Sequence, residues 1–234
     1  ITASDPGQIP MSVDSRFLVQ SLTKSFTAAV ILRLVETGKL LLDEPLSRWL
    51  PSLPNAACVT VRQCLQHTSG LPDYGSLKEY HDAVRQGDKP WSFEEFLERT
   101  RSEALRFVPG NGWGYSNIGH MMLRRLIEKV CDRTFSDIIM TEICVPLGLT
   151  QTFVVRGRAD LLSLTAGYST DSSPDGSAID VRELYDPGWI ATGVIASTAS
   201  DIVRFYHQLF AGKVLSSALL KEMCSSVRAA PSHP

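Results

Sequence analysis

The sequence predicts a helix-rich globular fold with a small strand content. Its 234 residues are 44% hydrophobic and 21% charged, a composition typical of folded globular chains. Apolar residues recur at helical spacing in several segments, whereas stretches with strand character are short and few. No stretch approaches the roughly 18 consecutive apolar residues of a membrane span, so we expect no transmembrane helix.

The most apolar helix is predicted between Ser21 and Gly38. Its middle, Ala28–Leu32, is apolar on every face, and Gly38 stands where a left-handed helix cap is favoured. A helix of this kind is buried on most sides. We therefore expect it at the centre of the molecule.

Two capping-box spacings, Thr60 with Gln63 and Ser92 with Glu95, predict further helix starts. Together with the periodicity they give helices at Pro45–Leu50, Val61–Gln66, Phe93–Arg101, Ile118–Val130, Phe135–Ile143, Ala199–Phe210 and Ser217–Cys224. Strand character is limited to Thr152–Val155 and Gly193–Ser197, and Leu71–Asp88 and Asp171–Ser177 are expected to be loops.

Charge and ligand-type residues exclude several functions. The 23 Lys and Arg residues against 25 Asp and Glu give a net charge of −2, which leaves no broad basic surface for a nucleic acid. The five His and five Cys residues lack metal-ligand spacing, so we expect no metal and no other cofactor. Free thiols favour a reducing compartment such as the cytoplasm, and Ile1–Pro10 lacks the features of a secretion signal; we leave the location open.

Ser21 and Lys24 are the first candidate catalytic pair. Three residues apart on a helix, a hydroxyl and an ammonium share one face and can touch. Partial burial disfavours the charged amine, so such a lysine can accept the proton of a serine nucleophile. Chance alone supplies roughly 0.7 of such a spacing in a chain of this composition, so the pair needs support from elsewhere.

Tyr115 and Asn117 supply that support. They form a Y-x-N motif after the glycine-rich stretch FVPGNGWG and before a predicted helix. A chance occurrence has a probability of about one in ten. The phenol could relay a proton to a leaving group while the Asn117 amide holds a substrate carbonyl; an ordinary loop tyrosine with a satisfied hydroxyl is the alternative.

Five segments in order carry a resemblance to a known family. They are FLVQSLTKSFTAAVILRLVETGKLLLDEPLSRWLP, LQHTSGLPDY, FVPGNGWGYSNIGHMMLRRLIEKV, CVPLGLTQT and GVIASTASDIVRF. The chain resembles the β-lactamase-related serine hydrolases, which include class C β-lactamases, D-alanyl-D-alanine carboxypeptidases and carboxylesterases. The match extends over about Asp14 to Met223.

The resemblance implies an α+β fold of the serine β-lactamase and penicillin-binding-protein type. It also implies that Ser21 is the acylated nucleophile, Lys24 its activating partner, Tyr115 a second base and proton shuttle, and Asn117 a substrate contact. The Ser21 backbone N–H would supply half of an oxyanion hole. In this interpretation HTSGLPDY is a structural turn, and His67 is not a catalyst.

The chain departs from the family pattern in three places. The family's third motif, on a strand near the C-terminus, is not found, and strands expected before a segment like Asp5–Phe17 are also missing. We therefore expect that the chain is mostly the helical part of a longer protein and that much of the central antiparallel sheet is absent. Ala191-Thr192-Gly193 stands where the family often has two glycines, which we expect to matter little.

The same resemblance predicts the domain organisation. Residues 1–57 and 186–234 would form a partial α/β lobe with the nucleophile helix, and residues 58–185 a mostly helical lobe with the Tyr-x-Asn loop. Without a sheet the core helix would expose an apolar patch, so a partner chain or self-association could cover it.

The predicted function is a serine hydrolase or acyltransferase that acts on a small ester or amide through an acyl-enzyme on Ser21. The sequence does not choose among a β-lactam, a peptide and an ester. The alternative is a non-catalytic relative, or an inactive fragment, that binds a small molecule or a partner.

Overall fold

The computed structural model describes residues 10–170, 173, 176–190 and 192–227. Its helices are α1 (Thr23–Glu36), α2 (Val61–Leu65), α3 (Lys78–Gln86), α4 (Phe93–Arg99), α5 (Asn117–Cys131), α6 (Phe135–Ile139), α7 (Val145–Leu147), α8 (Arg158–Leu162), α9 (Ala199–Phe210) and α10 (Ser217–Met223). Its strands are β1 (Phe17–Leu18), β2 (Phe153–Val154), β3 (Tyr168–Ser169), β4 (Ile179–Asp180) and β5 (Ile195–Ser197). Helix therefore dominates the described residues.

Helix α1 lies at the centre of the hydrophobic core, as its composition predicts. Phe26 and the run from Ala29 to Leu32 are buried. Ring centroids of Phe26 and Phe205 of α9 lie 3.9 Å apart in a stacked pair. The helix ends at Glu36, and Gly38 has a φ of 70°, the left-handed conformation expected of it.

Helices α5, α6 and α10 also pack against α1. The exposed apolar patch expected on this helix is therefore not seen in the described part of the chain, because helices that follow it in the sequence cover it. Ser25 and Ala28 are only half-buried. That a larger sheet completes the protein stays a prediction.

A three-stranded antiparallel sheet in the order β1-β5-β2 leads into α1. Phe17 pairs with Ser197, and the Val19 N–H donates to the Ile195 carbonyl at 2.8 Å. All three residues of β5 are buried. The sheet thus anchors the segment that enters the Ser21 turn.

Both predicted capping boxes are present, at the starts of α2 and α4. The predicted helix Pro45–Leu50 is a short 3₁₀ turn at Leu46–Arg48. The predicted helix Phe135–Ile143 is α6 followed by a π-helical segment, Met140–Cys144.

The prediction of a loop over Leu71–Asp88 was wrong, because α3 lies within it. This helix buries only Tyr80 and Ala83, while Asp82 pairs with Lys78 and Arg85 on its surface. Its two buried residues share one face, but most of the segment is charged or polar, which is also the composition of an exposed loop. Helix α8 is also not predicted from the sequence. It is five residues long, and Leu161 is its buried residue.

Strands β3 and β4 form a second, two-stranded sheet that flanks the predicted loop Asp171–Ser177. Most of that loop lies outside the described residues, as do residues 1–9 and Ala191. All five cysteines are free thiols, of which only Cys64 and Cys144 are buried. No helix in the described ranges is both long and apolar enough to cross a bilayer.

Candidate active site

A strained turn presents Ser21 to solvent. The chain leaves β1 and passes through Gln20, whose φ is 51°, into a 3₁₀ turn at Gln20–Leu22 that continues directly into α1. A positive φ is unusual for a glutamine and marks local strain of the kind found at functional sites. Gly193 packs against this turn, since a Cβ there would lie 3.3 Å from the Gln20 Cα. The turn leaves Ser21 exposed.

Lys24 lies beside Ser21 on the first turns of this helical segment. Its Nζ donates a hydrogen bond to the Ser21 Oγ at 3.2 Å. The side chain is half-buried, and its Nζ lies 5.0 Å from the centroid of the Tyr115 ring. Helical spacing alone accounts for the Ser21–Lys24 contact.

The glycine-rich loop before α5 brings Tyr115 to the same point. The Tyr115 Oη and the Ser21 Oγ are 2.8 Å apart, and either oxygen can donate. Two residues later, the Asn117 Oδ1 accepts a hydrogen bond from Lys24 Nζ at 2.9 Å. The structure thus brings together all four predicted site residues, although 93 positions separate Lys24 from Asn117.

The segment 66–74 holds this loop in place. The Gly114 N–H donates to the His67 carbonyl at 2.9 Å, and the Ser116 N–H donates to the His67 Nδ1 at 3.2 Å. The Asn117 N–H donates to the Asp73 Oδ1 at 2.7 Å. We call residues 66–74 the bracket, because they fix the backbone on both sides of Tyr115.

His67 is a neutral acceptor within the bracket. Burial and the nearby charge of Lys24 lower its pKa to about 4, while Asp73 acts in the opposite direction. Because the Nδ1 accepts from Ser116, the neutral ring carries its hydrogen on Nε2. The ring lies 4.5 Å from that of Tyr115, behind the phenol, and no contact joins it to the Ser21 hydroxyl.

Two residues of the site have no signal in the sequence. Asp73 anchors the first residue of α5 with one carboxylate oxygen and accepts the Gly75 N–H with the other. Thr192, in the departure from the double glycine, donates from its Oγ1 to the Asn117 Oδ1 at 3.1 Å. The spacing of either residue gives no signal, because each acts across a long stretch of chain.

A pocket of about 660 Å³ adjoins the Ser21 turn. Gln20 lines it, and its opposite wall includes residues of α3 and of the segment 161–185. Much of the remaining lining is apolar, from Phe17, Leu18, Val84, Leu161, Leu164, Val181, Leu184 and Tyr185. The volume is in the range of small-molecule sites.

No group of three His, Cys, Asp or Glu side chains is arranged to hold a metal ion within the described part of the chain. The chemistry available at Ser21 is that of a hydroxyl, an amine, a phenol and a carboxamide. Such a set supports nucleophilic attack with proton transfer.

Comparison with known proteins identifies the family of this chain. Residues 2–234 match the model of the family described as Beta-lactamase. Penicillin-binding protein 4* of Bacillus subtilis (strain 168) is 32% identical over 94% of this chain and 50% of its own length. Esterase EstB of Burkholderia gladioli is 34% identical over 83% of this chain and 57% of its own length.

Solved structures agree with the sequence match. The D-amino acid amidase from Ochrobactrum anthropi SV3, complexed with L-phenylalanine, superposes with a TM-score of 0.80 at 31% identity, over 94% of this chain and 64% of the amidase. The chain spans about half the length of the curated relatives it matches. The described residues are helix-rich with a small sheet, and the chain belongs to the beta-lactamase family.

Proposed function

We propose that this chain carries the acylation site of a serine hydrolase or acyltransferase, with Ser21 as the nucleophile. The observation that carries the proposal is the position of the Ser21 Oγ, 2.8 Å from the Tyr115 Oη and 3.2 Å from the Lys24 Nζ. A serine hydroxyl needs a base within hydrogen-bond reach to become nucleophilic, and here two candidates are in reach.

In acylation, the Ser21 oxygen attacks the carbonyl carbon of an ester or amide and its proton passes to Lys24. The backbone N–H of Ser21, at the positive end of α1, stabilises the oxyanion that forms. Tyr115 then gives its phenolic proton to the leaving group and recovers a proton from Lys24. The bond to the leaving group breaks, and the acyl group remains on the Ser21 oxygen.

In the second half-reaction an acceptor, either water or an alcohol or amine, attacks the acyl-enzyme. Tyr115 and Lys24 take the proton of the acceptor and return it to the Ser21 oxygen, so no redox partner or cofactor is needed. Relatives named as an esterase and an amidase make simple esters and amides the first substrates to assay. The 660 Å³ pocket next to Gln20 gives room for a substrate side group.

The proposal is tested by labelling the full-length protein with a fluorophosphonate probe and locating the adduct by peptide mass spectrometry. We expect the adduct on Ser21 and none in Ser21→Ala. Ser25→Ala is the matched control: Ser25 is on the same helix, bonded to the Tyr206 hydroxyl at 2.9 Å, and should label normally.

A folded protein that forms no adduct on Ser21 would overturn the proposal. The non-catalytic alternative would then stand. Binding without turnover would show as saturable displacement of a fluorescent ester analogue with no product released.

A further inference from the structure

A second cavity, of about 240 Å³, adjoins the side chain of Lys24. Its walls come mainly from α1, α5, α10 and the segment 62–67, and part of the lining is apolar, from Ala28, Leu32, Leu42, Leu65 and Met223. Its lining includes neither Ser21 nor Tyr115. We call this space the rear cavity, because it meets the catalytic amine without including the nucleophile.

His120 of α5 is a buried polar group in the wall of the rear cavity. The residue is 4% exposed, and in the described part of the chain neither of its ring nitrogens has a hydrogen-bond partner. Burial holds its pKa well below the usual value, so the ring is neutral and has one N–H donor and one acceptor nitrogen. Buried polar groups are as a rule hydrogen-bonded, to protein or to ordered water. His120 therefore indicates a ligand that both donates and accepts.

His67 of the bracket lines the same cavity. Its ring centroid lies 5.1 Å from that of His120, and among the described residues no hydrogen bond joins the two rings. Because its Nδ1 accepts from Ser116, its Nε2 carries a hydrogen and can donate. One water molecule can accept from His67 and donate to His120. The cavity has room for several waters, since each occupies about 30 Å³ in the liquid.

Lys24 is close to both imidazoles. Burial has the largest effect on the pKa of His67 and of His120, and the charge of Lys24 lowers both further. The Lys24 Nζ contacts the Ser21 Oγ and the Asn117 Oδ1, which together use two of the three hydrogens of an ammonium. A water in the rear cavity can accept the third.

We propose that the rear cavity is a water site, in which His67 and His120 hold an ordered water against the Lys24 amine, and that His120 is a positioning residue for this base. The kinetic part of the inference rests on the function proposed above. When Lys24 takes the proton of Ser21, the water accepts a hydrogen bond from the new ammonium. A hydrogen bond to the charged form favours that form, so the water makes Lys24 a stronger base.

Crystal structures of the full-length protein test the water site without turnover. In the wild type we expect a water within hydrogen-bond distance of the His67 Nε2, a ring nitrogen of His120 and the Lys24 Nζ. His120→Phe keeps a planar ring without polar atoms and should lose this water. His120→Gln keeps a donor and an acceptor and should retain it. A rear cavity filled by another part of the protein, or a water that stays in His120→Phe, would overturn the inference.

A pH profile tests the effect on the base. The charged and titratable groups around the proposed water are Lys24, Arg62, His67, Asp73, Tyr115, His120 and Glu222. All of them except residue 120 are shared by the two variants, so a difference between His120→Phe and His120→Gln reports the water. Lys24 must be neutral to accept a proton, and it therefore sets an acid limb in kcat/KM.

For p-nitrophenyl acetate, His120→Phe should lower the plateau of kcat/KM about fivefold to tenfold and move the acid limb about one pH unit lower, because the base is weaker. His120→Gln should stay within about twofold of the wild type, with the limb in place. Tyr80→Phe is the matched control: it removes a buried hydroxyl outside the cavity, bonded to the Trp189 carbonyl at 3.2 Å, and should change neither quantity.

A lower plateau in His120→Phe with the limb unmoved would show that His120 only supports packing, and would overturn its assigned role. So would equal profiles in the Phe and Gln variants. If p-nitrophenyl acetate does not react with the wild type and Ser21 is not labelled, the proposed function fails. The crystal structures then still decide whether His67 and His120 hold a water beside Lys24.

Discussion

The Ser21–Lys24 turn and the Tyr115–Asn117 loop meet at one point, but different forces hold them there. Ser21 and Lys24 follow each other within one helical turn, on a helix that is buried in the core. Tyr115 and Asn117 are in place because the bracket binds the backbone around them through His67 and Asp73. The first contact is local in sequence, and the second depends on chain segments more than 40 residues away.

This difference has a consequence for substitutions. A change in the turn removes a reacting group but leaves the scaffold of α1 intact, since core packing holds the helix. A change in the bracket leaves all reacting groups present and moves them apart. Substitutions in the turn should therefore remove a chemical step, whereas substitutions in the bracket should disturb the distances between reacting groups.

The largest effect is expected from Lys24→Ala, which removes the base from the local half. Acylation should slow by about 10⁴-fold, the upper range for a general base, with the free energy of unfolding within about 2 kcal/mol of the wild type. Lys24→Arg should be as slow, because a guanidinium stays protonated and does not accept the proton. Burst kinetics with a p-nitrophenyl ester measure the rate. Normal acylation in either variant would refute the assigned role.

Tyr115→Phe tests the long-range half with the smallest possible change. Loss of the phenol removes the proton donor to the leaving group, and we expect acylation to slow by about 10² to 10³-fold. Tyr206→Phe is the matched control, since its hydroxyl bonds Ser25 on the same helix without reaching Ser21. Both variants should unfold within about 2 kcal/mol of the wild type. Equal rates in the two would remove Tyr115 from the mechanism.

Local signals in the sequence predict one half of the site and most of the scaffold. The structure contains the Ser21–Lys24 contact, the Gly38 cap and both capping boxes. Each of these features depends only on residues a few positions apart in the sequence. Tyr115 and Asn117 were found by motif. The partners that hold them were not, because Asp73 and Thr192 act only after distant segments have folded together.

The missed helix α3 shows the same limit from another side. Surface ion pairs support this helix, and most of Lys78–Gln86 is charged or polar, so its composition resembles that of an exposed loop although its few apolar residues share one face. The π-helical segment after α6 is a second example. One helix is predicted there, and the actual change of hydrogen-bond pattern leaves no mark in the composition.

Acid should weaken the bracket through His67. In the unfolded chain the imidazole has a pKa near 6.5, whereas in the folded protein it is lowered to about 4. Between these values the unfolded state takes up a proton that the folded state does not, so stability present above pH 6.5 is lost as the pH falls towards 4. The shift corresponds to about 3 kcal/mol.

Urea unfolding at pH 7.5 and 4.5 measures this loss. His67→Asn provides the comparison, since asparagine does not titrate and tolerates the positive φ of 59° at this position. The variant should lose less stability on acidification than the wild type, by most of that 3 kcal/mol. The same loss in both proteins would mean that His67 is not the group that titrates.

The smallest effect is expected from Asp73→Ala, which loosens the bracket without touching a reacting group. It deprives the Asn117 and Gly75 N–H groups of a carboxylate, which should cost about 2 kcal/mol of unfolding free energy. Acylation should slow by about tenfold, because the loop with Tyr115 and the first residue of α5, Asn117, are then free to move away from Ser21. Asp73→Asn keeps one acceptor oxygen, so its stability and acylation rate should lie between those of the wild type and Asp73→Ala. Asp88→Ala, at an exposed position, is the control and should change neither quantity. If Asp73→Ala loses stability but acylates at the wild-type rate, the loop is held by its other contacts, and the contrast between a local and a bracketed half no longer explains the site.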